Sequence, residues 1–212
     1  MNNRDYKNFA PKNFYHIYNR GNNKQNIFID QNDYLFFLLK LCSILGLTKS
    51  QIVSYRAQSL PKDSFTILSY CLMPNHFHIL IRQNENIPIG KLMSKLCTSY
   101  SKYFNKKYAR SGALFQDQFK SIIVSTDSYL FWLTLYIHLN PVRAFLAIKP
   151  QDYKWSSYYE LLNSSEEYSL VDQDMVFKLL NINFKEYRMI LSQVIKDETD
   201  KKSLAKELLF DN

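Results

Sequence analysis

The stretch FTILSYCLMPNHFHILIR, residues 65–82, decides the fold. Two runs rich in β-branched and aromatic residues, Phe65–Met73 and His76–Arg82, are separated only by Pro74-Asn75, so they read as the arms of a β-hairpin. Side chains at i and i+2 of a strand share a face. His76 and His78 therefore project together, while Phe77 turns to the opposite side.

Upstream, Phe14–Asn19 (FYHIYN) reads as a strand entering the polar turn Arg20-Gly21-Asn22-Asn23. Asp33–Leu45 then carries apolar residues at helical density behind an N-cap at Asn32 or Asp33. Downstream, Leu92, Met93, Leu96, Tyr100, Tyr103 and Phe104 recur at helical spacing within Pro88–Tyr108. The exposed side of that helix carries Lys91, Lys95, Lys102, Lys106 and Lys107. Leu114–Val124 reads as a further strand with a bulge, and Asp127–Leu139 as a third helix closed by Asn140-Pro141. The order β-α-β-β-α-β-α predicts an α+β fold, a ferredoxin-like antiparallel sheet with helices on one face. The additional helix needs a docking place of its own. Past this domain, taken as residues 1–150, come Trp155-Ser156-Ser157-Tyr158, a polar Ser/Glu stretch and helical patterns near Gln173–Leu180 and Phe184–Ile195. Residues 151–212 are accordingly expected to form a small helical appendage.

Composition narrows the chemistry. A chain of 212 residues with 46% apolar and 22% charged residues can bury a core. Four glycines leave no glycine-rich phosphate cradle or dinucleotide fingerprint, which argues against a nucleotide cofactor. Residues 1–159 hold 20 basic and 8 acidic side chains, a balance of +12, whereas residues 160–212 hold 7 and 11, a balance of −4. A polyanion surface on the larger part follows, as does the alternative of scattered solvated charge. Cys42, Cys71 and Cys97 stand singly and read as buried free thiols. No apolar stretch is long enough to span a bilayer, so no membrane partner and a cytoplasmic location are expected.

His76-Phe77-His78 is either half of a metal site or a pair of polar edge residues. Tyr136 and Asn140, four apart, share one helical face. They are either a nucleophile and an oxygen ligand or a core tyrosine and a helix cap before Pro141. Brought against the imidazoles, they would complete a site able to polarise a phosphate. His16 can face the same sheet surface and is read as structural or DNA-contacting. His138, on nearly the opposite side of the helix from Tyr136, is excluded from the site.

The segments LMPNHFHILIR (72–82), LMSKLCTSYSKYFNKKYARSGALFQDQFKS (92–121) and YIHLNPVRA (136–144) resemble the single-tyrosine HUH transposases, in particular their REP-associated branch. YHIYNRGNNKQNIF (15–28) and DYKWSSY (152–158) extend the likeness, in order, over residues 14–160. The resemblance implies a metal site at His76 and His78 holding Mg2+ or Mn2+, and Tyr136 as the catalytic residue. Many members of the wider group carry Gln where this chain has Asn140, whose carboxamide is kept on a shorter arm. The implied reaction cleaves and rejoins single-stranded DNA near hairpins through a 5′-phosphotyrosine, without ATP. Partners would be single-stranded or hairpin DNA and a second copy of the chain in a homodimer. Arg20, Lys24, Arg110, Lys120 and Arg143 flank the motifs as candidate phosphate contacts. The alternatives are a hairpin-binding module that does not cleave, and an HUH replication or mobilisation nickase.

Overall fold

A computed structural model describes residues 9–47, 59–163 and 170–210. Strands β1 (Phe14–Arg20), β2 (Phe65–Met73), β3 (His76–Gln83) and β4 (Lys120–Val124) form one sheet in the order β2-β3-β1-β4. Every neighbouring pair is antiparallel. Helices α1 (Gln31–Leu45), α2 (Ile89–Lys107) and α3 (Asp127–Arg143) complete the β-α-β-β-α-β-α order. This is the α+β, ferredoxin-like arrangement expected from the chain.

The sheet separates two environments. Ile17 pairs with Ile79 and Tyr15 with Ile81, and these residues share a face with Phe77. On that face the Phe77 ring lies 5.1 Å from Phe37 of α1, which meets Tyr100 of α2 edge to face. α1 and α2 pack on each other over this core. The additional helix α3 takes the opposite face, against β2 and β3, so the sheet is covered on both sides.

α1 begins earlier than the sequence pattern implies. Its cap is Asp30, whose carboxylate accepts the N–H groups of Asn32 and Asp33. Asp33 reaches back to the N–H groups of Asp30 and Ile29, closing a capping box. The Asp33 side chain is fully buried, and Lys107, at the end of α2, donates to both aspartates at 2.7 Å. Burial alone would raise the Asp33 pKa, but Lys107, Tyr108 and the two backbone donors hold it below the carboxylate range.

Two further corrections concern element ends, and a third concerns burial. Leu114–Phe119 is not strand: Phe115 bridges Gly21, Gln116 N–H donates to the Arg20 carbonyl, and the ladder begins only at Lys120. Gly21 sits so tightly there that a Cβ would lie 2.2 Å from the Gln25 carbonyl oxygen. α3 does not stop at Asn140 but runs through Pro141 to Arg143. Pro141 removes one rung of the ladder, yet its φ suits a helix, and Ala144 and Leu146 still donate to the carbonyls of Asn140 and Pro141. Asn140 is therefore inside the helix and not its cap. Cys97 is half-buried, whereas Cys42 and Cys71 are buried, and all three are free thiols.

The chain divides into compact units Met1–Asp172 and Gln173–Asn212. The division falls beyond residue 150 because the segment after it seals the open edge of β2. Leu72 N–H donates to the Trp155 carbonyl and Cys71 bridges Ser156. Short helix α4 (Ser157–Leu162) follows. Part of the polar Ser/Glu stretch, residues 164–169, lies outside the described residues. In the second unit α5 (Gln173–Leu180) and α6 (Phe184–Phe210) meet through Phe177, whose ring lies 5.2 Å from Phe184 and 5.5 Å from Tyr187. No described helix is long and apolar enough to cross a membrane.

Asp33→Ala should cost about 3 kcal/mol of stability in urea unfolding, because it strands two backbone donors and removes one of the two carboxylates that hold the Lys107 ammonium. A loss below about 1 kcal/mol would show that the α1–α2 junction does not depend on this carboxylate.

Candidate active site

The polar face of the sheet carries His16 and Tyr18 from β1 and His76 and His78 from β3. Tyr18 pairs directly with His78 and Arg20 with His76. From above, α3 lowers Tyr136 onto this row: its ring stands edge-on to His78, centroids 5.7 Å apart at 84°. Tyr136 remains 38% exposed above the buried His16 and His78 and the half-buried His76. The Arg143 guanidinium lies 5.5 Å from the Tyr136 ring centroid.

Each histidine of the HxH pair has one nitrogen engaged. His76 Nδ1 lies 2.6 Å from Asn75 Oδ1, and His78 Nδ1 lies 2.8 Å from His16 Nε2. Burial lowers the His78 pKa to about 3, helped by His16 and His76, and lowers that of His16 to about 4. His76 is lowered by burial and by the Arg20 charge. At neutral pH the row is uncharged, and each imidazole keeps one lone pair.

The donor set fits a divalent cation. Among the described residues no three His, Cys, Asp or Glu side chains are arranged to hold a metal ion, so a cation here would need a donor of another type beside the two histidines. No hydrogen bond among the described residues takes the Nε2 atom of His76 or His78. Asn140, one turn beyond Tyr136, is buried, and its Nδ2 has no hydrogen-bond partner. A half-turn of the amide would put its oxygen in that place. Two neutral imidazoles and a carboxamide oxygen form a mixed nitrogen–oxygen set of the kind such cations accept.

Of the candidate phosphate contacts, Arg20 and Lys120 line a hollow of about 450 Å3 beside His76 and His78. Arg143 overhangs Tyr136. Lys24 and Arg110 do not line the hollow; Arg110 instead donates to Asn105 Oδ1 and the Ala113 carbonyl, holding the turn after α2. Gln116, Asp117 and Gln118 also line the hollow, and reading Leu114–Val124 as a bulged strand hid them. His138 points away from the site: its Nε2 lies 2.7 Å from Ser157 Oγ, which also accepts from Tyr70 N–H and donates to the Tyr70 carbonyl. That arrangement makes His138 Nε2 the donor, and full burial lowers its pKa to about 3.

A family model for IS200-like transposases matches residues 14–140, more than half of the chain. The protein belongs to the IS200-like transposase family. Comparison with curated protein sequences returns no match. Among solved structures, the chain is similar to a REP-associated tyrosine transposase bound to a REP hairpin. The TM-score is 0.55 at 13% identity, over 77% of this chain and 87% of the other, a likeness of fold. It is also similar to a Deinococcus radiodurans protein assigned as a transposase, with a TM-score of 0.39 at 13% identity, over 62% of this chain and 92% of that one. The family makes this IS200-like transposase a DNA-processing protein and gives the Tyr136–histidine face its context.

The folded values of His16, His78 and His138 all lie below the ordinary 6.5 of an unfolded histidine. The unfolded chain therefore binds more protons as pH falls through 6.5. Stability is full above that value and is lost toward pH 4, by about 1.4 kcal/mol per pH unit for each histidine. His138→Gln should remove one histidine's share of that slope in urea unfolding followed from neutral pH to about pH 5. An unchanged slope would mean that His138 titrates in the folded protein.

Proposed function

We propose that this transposase cleaves and rejoins single-stranded DNA beside hairpins, with Tyr136 as the nucleophile. The observation that carries the reading is the Tyr136 ring standing edge-on to His78, exposed to solvent on one side and underlain by neutral imidazoles on the other. The Tyr136 oxygen attacks the phosphorus of a phosphodiester and forms a new P–O bond. The bond to the 3′-oxygen breaks, and that oxygen leaves as a 3′-hydroxyl after taking up a proton, while the phenolic proton is lost. The product is a 5′-phosphotyrosine, and attack by a second 3′-hydroxyl reverses the exchange with the bond energy conserved. His76, His78 and Asn140 would hold Mg2+ or Mn2+, whose charge polarises the scissile phosphate when bound. Arg20 and Lys120 approach the DNA backbone from the sheet side and Arg143 from the helix side.

Hairpin recognition is supported by the bound REP hairpin of the similar transposase. One tyrosine per chain cuts one strand, so a two-strand event calls on two chains. The +12 balance of residues 1–159 suits a polyanionic partner.

Tyr136→Phe should abolish the covalent protein–DNA adduct on labelled hairpin DNA while leaving binding nearly intact, because only the phenolic oxygen is removed. An adduct that survives would remove Tyr136 from the chemistry. His76→Ala and His78→Ala should each suppress magnesium- or manganese-dependent cleavage, and Asn140→Ala less completely, since water can take a vacated oxygen position on a hard cation. Unaltered metal dependence in His76→Ala would exclude the proposed ligand set. Hairpin binding without any adduct in the wild-type protein would favour a non-cleaving module.

A further inference from the structure

We propose that His16 is a positioning residue that holds His78 in the tautomer whose Nε2 lone pair faces the reacting centre. The inference rests on the reading of His78 as a metal ligand. His16 Nε2 and His78 Nδ1 are 2.8 Å apart, with ring centroids 5.0 Å apart and planes within 21° of parallel. Nitrogens so much closer than the centroids mean that the two rings meet edge to edge, where an N–H and a lone pair point along the line between them. Both residues are 7% exposed, so water does not compete for either nitrogen.

A neutral imidazole carries one N–H and one lone pair. A single proton therefore lies between the two rings and has two arrangements. If His16 donates, His78 keeps its hydrogen on Nε2 and offers the site no lone pair. If His78 donates from Nδ1, its Nε2 is free, and His16 carries its own hydrogen on Nδ1. Only the second arrangement is compatible with ligation. His76 uses the same device in simpler form, since the Asn75 Oδ1 beside its Nδ1 can only accept. A ligating histidine whose other nitrogen donates to a protein acceptor is fixed in tautomer and ring orientation. Strand geometry supplies the acceptor here: His16 lies two residues before Tyr18, the direct partner of His78, and so shares its face.

The test uses the full chain without DNA. Mn2+ binding, followed by the loss of its free-ion electron paramagnetic resonance signal, should weaken about 10- to 100-fold in His16→Leu. His16→Gln, which keeps an acceptor oxygen at comparable reach, should recover most of that affinity. In metal-free wild-type protein, long-range 1H–15N correlation should place the His78 proton on Nδ1, and in His16→Leu it should move to Nε2. A residue that served packing alone would leave the His78 tautomer unchanged and would not separate Gln from Leu. Wild-type affinity in His16→Leu, or a wild-type His78 protonated on Nε2, would overturn the proposal. If the wild-type chain bound no Mn2+, the metal reading would fail, and the wild-type tautomer would still decide the role of His16. The same spectrum decides it if His16→Leu does not fold.

Discussion

The alternation of side chains along β3 about Phe77 is the constraint on which the rest of the molecule depends. Phe77 is fully buried against Phe37 of α1, while its neighbours His76 and His78 emerge on the other face. Because the strand period is two, a slip of one residue would drive the imidazoles into the aromatic core and expel Phe77. Register is held from both sides, by pairing with β1 at Ile79–Ile17 and by the two-residue turn to β2. The packing that stabilises the sheet and the chemistry displayed on it are thus set by one choice of register.

Much of this was legible in the sequence, for local reasons. The hairpin, the HxH pair and the i,i+4 relation of Tyr136 to Asn140 are short-range patterns, and periods of two and 3.6 fix which side chains share a face. What could not be read depended on contacts across the chain. The His16–His78 bond joins residues 62 apart and requires the β1–β3 register. Asp33 looked like a cap because it is an acidic residue at a helix start, but Lys107, contributed by α2, helps make it the buried partner of Asp30. Pro141 looked like a stop because proline removes a rung; tertiary docking of α3 and the bonds beyond it carry the helix onward. The 114–119 loop was hidden by its aromatic and β-branched surroundings, which imitate a strand, while Phe115 and Gln116 are tied instead to the end of β1.

The two faces of α3 do different work. Tyr136 looks toward the histidine row, with Asn140 one turn beyond it, and His138, on the other side, is anchored through Ser157 to both backbone groups of Tyr70 on β2. The segment that seals the β2 edge thereby also fixes the rotation of the helix bearing the tyrosine. A free β2 edge would expose unpaired N–H and C=O groups, so the same residues satisfy the sheet and orient the site.

Exposure is distributed unevenly, and the inequality suits the proposed chemistry. His16 and His78 are buried and His76 half-buried, and each ring is engaged at one nitrogen, so little freedom is left to lose on binding. Tyr136 is held through the helix alone, its ring touching His78 and Arg143 while more than a third of its surface stays open. In the proposed reaction the tyrosine, forming and releasing a bond to a long polymer, needs that opening, whereas groups that hold charge in place need the opposite. Docking an exposed tyrosine over a hydrogen-bonded histidine row supplies both in one layer of contact between α3 and β3.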